Sequence, residues 1–170
     1  HTPTQGRMRI VKGLKHTLII DDSYNSSPVA AERALQTLKE LKGDRRKIAV
    51  LGDMLELGQF SVAEHERVGA LVSDCADMLV TVGIRARKIA ETALEFGMSE
   101  KVILQYDDIL RASRELQNLL QEGDIVLVKA SQSLRGEILV EEIMAEPERA
   151  GELLVRQSSA WKQKKVHTVA

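Results

Sequence analysis

Short, continuous apolar runs alternate along this chain with longer stretches in which apolar residues recur every three or four positions. The runs are Thr17-Leu18-Ile19-Ile20, Lys47-Ile48-Ala49-Val50-Leu51, Met78-Leu79-Val80-Thr81-Val82-Gly83, the segment Lys101 to Gln105, and Asp124-Ile125-Val126-Leu127-Val128-Lys129. Runs without polar alternation are what strands buried on both faces of a parallel sheet require. After the first run, Ala31, Leu35, Leu38 and Leu41 recur at helical spacing and Gly43 stops the helix. Pro28 suits a first helical turn, with Ser26 or Ser27 as its N-cap. Further helices are predicted over 61–75, where Ser61 and Glu64 match a capping box, and over 85–96, closed by Gly97. Two more are predicted over 107–120, capped by Asp107, and over about 134–144. Ahead of all these, Arg7 to Val11 is β-rich and joins Thr17–Ile20 through Lys12-Gly13-Leu14-Lys15-His16 as a hairpin. Strands alternating with helices of this length demand a doubly wound α/β fold, with a mostly parallel sheet of about six strands and an N-terminal β-hairpin.

The 170 residues fit one domain with a short appendage. Residues 1–6 read as a linker or a remnant of excision from something longer, 7–146 as the domain, and 147–170 as a partly helical tail. That tail is mildly amphipathic to Trp161 and then basic at Lys162, Lys164 and Lys165, as expected of a terminal helix that docks and then frays. Aromatic residues are 3% of the chain, so the core must be aliphatic. A net charge of −1 gives no electrostatic reason to expect nucleic acid or an anionic membrane surface. No run approaches the length that spans a bilayer, and nothing resembles a secretory leader. The single Cys75 cannot form an internal disulfide and reads as a buried structural thiol in a cytoplasmic protein.

Composition leaves function open; the strand ends do not. The first main strand ends in Asp21, Asp22, Tyr24 and Asn25, the next in Gly52, Asp53 and Glu56, the next in Thr81 and Gly83, and the last in Lys129, Ser131, Gln132 and Arg135. Strand polarity puts all of these on one edge of the sheet, where open α/β sheets bind ligands. The opposite edge carries mostly ordinary turn residues. Asp21-Asp22 reads equally as a turn with a helix cap, but adjacent carboxylates need a compensating cation, and Lys129 and Arg135 are the natural ones. Tyr24-Asn25 offers a flat ring and a bidentate amide, suited to a base or ribose, although such pairs also occur in plain turns. The apolar loop Leu51-Gly52-Asp53-Met54-Leu55-Glu56-Leu57-Gly58 should be partly exposed and in need of a partner, unless it folds back on the core. His65 follows it on a helix, a position more often packing than chemistry.

Several signatures are absent from the sequence: a Gly-x-x-x-x-Gly-Lys-Ser/Thr phosphate loop, a Gly-x-Gly-x-x-Gly turn, a zinc-type Cys/His spacing and a Gly-x-Ser-x-Gly elbow. The chain thus carries a binding edge without a self-sufficient catalytic machine. A phosphoacceptor receiver would also use an acidic pair, a central Asp, a Thr and a Lys, here Asp21-Asp22, Asp53, Thr81 and Lys129. A receiver needs an extra strand between the acidic pair and the acceptor, and a Pro after the Lys; both are missing.

Four ordered pieces carry a resemblance: Gly6-Arg7-Met8; Ile20-Asp21-Asp22-Ser23-Tyr24-Asn25-x-x-Pro28; Val50-Leu51-Gly52-Asp53-Met54-x-Glu56-Leu57-Gly58; and His65-x-x-Val68-Gly69. Together they resemble the C-terminal domain of the Mur ligases over about residues 6 to 145. The Asp-Asp-Ser-Tyr-Asn form is similar to the branch that adds D-alanyl-D-alanine to UDP-N-acetylmuramoyl-tripeptide. Relatives with Asp-Tyr-Ala-His-Asn-Pro add a single amino acid, and that activity, or a stand-alone binding module, is the alternative. The resemblance implies a Rossmann-like third domain that closes over ATP. The N-terminal and central domains of the same protein would hold the UDP-sugar peptide, the phosphate loop and the Mg2+ ligands, with no metal ligand in this chain. It implies nucleotide contacts from Arg7, Asp21, Asp22, Tyr24 and Asn25. It implies dipeptide contacts from Gly52, Asp53, Met54, Glu56, Leu57, His65 and Ser131, with Lys129 and Arg135 near the reacting groups. Ala130 and Gln132 depart from that pattern, which has Gly and Arg there.

Overall fold

The computed structural model describes residues 4–166. Its six-stranded sheet is ordered β1-β2-β6-β3-β4-β5, from β1 (Arg9–Lys12), β2 (Leu18–Asp22), β3 (Lys47–Gly52), β4 (Met78–Val82), β5 (Ile103–Tyr106) and β6 (Ile125–Lys129). Only the β1–β2 pair is antiparallel; every other neighbour is parallel. The fold expected from the apolar runs is therefore the fold observed, hairpin included.

The pleat explains how short apolar runs build two cores. Ile19, Ile48, Val50, Val80, Val126 and Val128 point to one face, where they pack on α4 (Ile109–Leu119) and α5 (Gly136–Ile143). Their neighbours Ile20, Ala49, Leu51, Leu79, Ile125 and Leu127 point to the other, against α1 (Pro28–Glu40), α2 (Ser61–Cys75) and α3 (Arg87–Glu95). With side chains alternating at period two, each strand must be apolar throughout. Cys75 is buried in the second of these cores.

The first helix starts as expected, and later helix starts differ. Ser27 caps α1, accepting the Ala30 N–H. Ser61 is not a cap: a 3-10 turn, Gly58–Phe60, feeds straight into α2, so no orphan N–H waits for its hydroxyl. Asp108, one residue beyond Asp107, caps α4 by accepting from Arg111 N–H. Arg135 stands in the left-handed conformation (φ 58°) ahead of α5, so that helix starts at Gly136 rather than Leu134.

Strand β6 lies between β2 and β3. The chain leaves β2 and β3 toward the α1–α3 face, but leaves β6 toward the α4–α5 face. Connections that part in this way open a crevice at the carboxyl ends of the strands. The tail closes one side of it through a 3-10 turn (Pro147–Arg149), α6 (Ala150–Leu153) and α7 (Ser159–Gln163). Gly6 is buried beneath Tyr24, whose N–H donates to the Gly6 carbonyl; residues 1–3 of the expected linker lie outside the described residues. No helix among the described residues is long and apolar enough to cross a membrane.

Candidate functional site

Asp21 and Asp22 are the last two residues of β2, not the turn beyond it. The pleat sends their side chains to opposite faces, so the two carboxylates do not share a site. Asp22 stands directly across from Lys129 in the parallel register, and the pair closes at 2.9 Å with both side chains nearly buried. Asp22 also accepts the Met8 N–H at 3.2 Å, and the Lys129 ammonium donates to the Asn25 carbonyl at 2.6 Å. Two of the three ammonium donors are thus spent within the chain.

Asp21 turns instead toward α5, fully buried. One carboxylate oxygen accepts the Ser23 N–H and O–H; the other has no partner among the described residues. Burial raises its pKa, against the lowering effect of the Ser23 hydrogen bonds, and the nearby Asp22 and Glu137 charges add to the rise. The expectation that Lys129 and Arg135 together balance the acidic pair is half right. Lys129 meets Asp22. Arg135 donates to Glu137, a carboxylate buried on α5, and to the Trp161 carbonyl.

Two adjoining cavities result. The first, about 440 Å³, is lined by Arg7, Asp22, Tyr24, Asn25 and Lys129 together with the first turns of α1. Its mouth is an exposed tyrosine ring with the Arg7 guanidinium 4.3 Å from the ring centre. The second, about 750 Å³, lies beyond Asn25 and Ser27, which border both. Its walls are Leu55, Glu56 and Leu57 on one side, Ser131, Gln132, Ser133 and Arg135 on another, and Trp161, Lys164 and Lys165 from the tail.

Other expected contacts lie off these cavities. Met54 is buried, its N–H donating to His65 Nε2 at 3.0 Å, while His65 Nδ1 donates to the Ser61 carbonyl at 2.7 Å. With both ring nitrogens occupied, His65 fixes the loop's path rather than facing a ligand. The apolar loop therefore does both things expected of it: Met54 returns to the core, while Leu55 and Leu57 remain half-buried at the cavity wall. Asp53 is buried against Gly83, where a Cβ would lie 2.4 Å from its carboxylate, and accepts the Ala86 N–H at 2.7 Å. Burial raises its pKa, opposed by the Ala86 N–H and the Arg85 charge. A carboxylate so enclosed braces the β4–α3 turn and is not placed as a phosphoacceptor. Gly52 is enclosed too: a Cβ there would meet Leu134 at 2.6 Å and Ala130 at 3.2 Å. The Ala130 methyl lies in the core between Gly52 and Gly136, so this departure fills space that two glycines leave open.

Glu137, Arg156 and Trp161 were not among the expected site residues. Arg156 donates to Glu137 at 2.9 Å and to the Ser23 carbonyl at 3.1 Å, tying the tail to the end of β2. A sequence signal existed for Glu137 alone: it sits three residues before Val140 on the apolar face of α5, where a lone carboxylate demands a partner. Among the described residues, no three His, Cys, Asp or Glu side chains group to hold a metal.

A doubly wound sheet with a divided, cation-bordered crevice at its switch point defines a ligand-binding α/β domain. The chain belongs to the family described as "Mur ligase, glutamate ligase domain", whose model matches residues 6–132. It is 35% identical over 144 residues to the UDP-N-acetylmuramoyl-tripeptide–D-alanyl-D-alanine ligase of Bacillus subtilis (strain 168), covering 83% of this chain and 31% of that protein. The ligase of the same name from Mycobacterium leprae (strain TN) is 32% identical over 143 residues, covering 75% of this chain and 28% of its own. Among solved structures, MurF ligase from Thermotoga maritima in complex with ADP superposes with a TM-score of 0.69 at 28% identity, over 88% of this chain and 33% of that one. MurF from Acinetobacter baumannii gives 0.70 at 28% identity, over 82% and 30%. The chain thus spans about a third of the length of these relatives.

Proposed function

We propose that this chain is the C-terminal domain of an ATP-dependent amide ligase of peptidoglycan-precursor synthesis, joining D-alanyl-D-alanine to UDP-N-acetylmuramoyl-tripeptide. The observation that carries this reading is the divided crevice, two cavities meeting at Asn25 and Ser27 in a chain of this family. One cavity suits a nucleotide and the other an acceptor. In the reaction, ATP phosphorylates the tripeptide carboxylate, the dipeptide amine attacks the acyl carbon, and phosphate leaves as the nitrogen loses its proton.

The residues of the first cavity fit a nucleoside. Tyr24 offers an exposed flat face, Arg7 a guanidinium stacked on it, and Asn25 a side-chain amide whose oxygen accepts the Ser26 N–H and whose NH2 has no partner among the described residues. Lys129 keeps one donor for a phosphoryl oxygen, held in place by Asp22 and the Asn25 carbonyl. Asp21 supports this edge through Ser23 rather than touching ribose. In the second cavity, Glu56, Leu57, Ser131 and Arg135 receive the dipeptide, with Gly52, Asp53, Met54 and His65 shaping the loop behind them. ATP and Mg2+ chemistry requires the N-terminal and central domains, which supply the phosphate loop and the metal ligands. Residues 7–146 then form the closing domain and 147–170 its tail, and this chain by itself is inactive.

Phosphate release by the full-length protein, with ATP, Mg2+ and UDP-N-acetylmuramoyl-tripeptide, tests the reading. Release should depend on D-alanyl-D-alanine; release with a single amino acid alone would replace the dipeptide by that acceptor. Asn25→Ala should raise the ATP KM about tenfold, as expected for one lost hydrogen bond to a charged or strongly polar ligand, without lowering Tm. A lower Tm with unchanged ATP kinetics would make Asn25 a turn residue only.

A further inference from the structure

The tail lies beyond the residues matched by the family model, yet it forms one wall of the second cavity. It is seated there by buried charge. Glu137, 1% exposed, is clamped between Arg135 on the β6–α5 connection and Arg156 on the tail. The Trp161 carbonyl accepts from Arg135, and its ring lies 5.2 Å from the Arg135 guanidinium and 5.6 Å from that of Arg156. The Lys164 ammonium rests 3.9 Å from the centre of the same ring. An indole among three cations is a platform that fixes their directions.

The charge of this assembly does not close. Of the carboxylates near Arg135, Arg156, Lys164 and Lys165, Glu137 is paired with the two arginines and Glu141 borders the adjoining cavity, and among the described residues neither Lys164 nor Lys165 pairs with an acid. Glu56 lines the same cavity from the β3–α2 loop, an exposed acid held in the left-handed conformation (φ 62°) and, among the described residues, without a cation partner. One cavity thus has an acidic wall and a basic wall. A ligand that satisfies both is a zwitterion, with its ammonium at one end and its carboxylate at the other.

We propose that the tail supplies the carboxylate-recognising end of the acceptor pocket: Lys164, seated on Trp161, and the adjacent Lys165 bind the free carboxylate of the incoming dipeptide, while Glu56 orients its ammonium end. This rests on the ligase reading above and adds a specificity element to it. An acceptor reaches the tail only if it carries a carboxylate at the far end, so the tail measures acceptor length as well as charge.

The test is steady-state phosphate release by the full-length protein, with D-alanyl-D-alanine and with its C-terminal amide, which lacks the carboxylate. K164A/K165A should raise the dipeptide KM about tenfold, the loss expected for a charge-assisted contact. The ATP KM and the kcat at saturating dipeptide should stay within about twofold, a difference of under half a kcal/mol. The amide should raise KM in the wild type by a similar factor, and add nothing in K164A/K165A, because each change removes the same contact. K164R/K165R should restore the wild-type KM, and K162A, on the exposed side of α7, should leave it unchanged. An unaltered dipeptide KM in K164A/K165A, or penalties that multiply with the amide, overturns the proposal. Failure of the underlying reading looks different: the wild type itself releases no phosphate with D-alanyl-D-alanine, and the tail proposal falls with it.

Discussion

Each end of the sheet buries an aspartate, and the two are treated in opposite ways. At the amino ends of β3 and β6, Asp124 has both carboxylate oxygens satisfied: Arg46 donates to one at 3.0 Å and to the other at 2.7 Å, and the Gln121 N–H adds a third bond at 2.8 Å. At the carboxyl end of β2, Asp21 is as deeply buried, but one of its oxygens has no partner among the described residues and its pKa is raised. The first arrangement is a staple, since Arg46 also donates to the Leu119 carbonyl and so ties β3, α4 and β6 together. The second leaves bonding capacity unspent. Where a chain closes every bond, the residues serve folding; where it leaves a buried group short beside a crevice, the shortfall is tolerated for what the crevice does.

The amino end should therefore be the one that breaks the fold. Arg46→Ala leaves Asp124 buried with one N–H for company, and should cost about 3 kcal/mol, at the lower end for breaking a buried pair because Arg46 is partly exposed. Urea unfolding of the chain measures it. Ligase kinetics of the full-length protein should be unchanged at a temperature where the variant is folded. A loss below about 1 kcal/mol would place this pair with ordinary surface salt bridges and remove the contrast.

The legibility of the sequence divides along the same line. Strands β2, β3, β4 and β6 could be read because burial on both faces leaves no room for polar alternation, so each appears as an unbroken apolar run. The carboxyl-edge residues could be located as a group, since strand polarity alone decides the edge. Their pairings could not. Whether Asp22 or Asp21 meets Lys129 depends on the β2–β6 register, which no local pattern records. The Glu137–Arg156 bond and the Trp161 platform depend on how the tail returns to the sheet across a long stretch of chain. The amino-end staple went unseen for the same reason: Asp124 read only as the first residue of the last apolar run, and nothing local marks Arg46 as its partner.

Lys129 sharpens the comparison from the other side. Its partner Asp22 borders an open cavity, so solvent can reach the carboxylate once the lysine is gone. Lys129→Met should cost about 2 kcal/mol in stability, less than Arg46→Ala, because Asp22 keeps the Met8 N–H and gains water. Its effect on turnover should be larger, a fall of about 100-fold in kcat/KM for the full-length protein, as for loss of one preorganised charge contact to a developing anion. A variant that loses stability while keeping its kinetics would make Lys129 a structural ion pair like Arg46, and the carboxyl end would lose its distinction.

The smallest effect is the most diagnostic, because it is read as a slope. Asp21 has its pKa raised above the ordinary value of 3.8 by burial, so the folded chain holds this proton more tightly than the unfolded chain does. Folding then takes up a proton in the window above 3.8, and the Asp21 contribution to stability falls as pH rises through that window. Asp21→Asn removes the titration while keeping the shape and one acceptor for Ser23. The variant should differ from wild type by no more than about 1 kcal/mol at neutral pH, the scale of one exchanged buried hydrogen bond. Relative to wild type it should be most stable at pH 8 and lose that advantage steadily toward pH 4. Asp124→Asn is the control at the other end: it breaks the two-pronged Arg46 contact and should lower stability at neutral pH. Unfolding free energies of the three chains between pH 4 and pH 8 decide the matter. A flat difference between wild type and Asp21→Asn would mean that Asp21 is as well satisfied as Asp124, and that the two ends of the sheet are built alike.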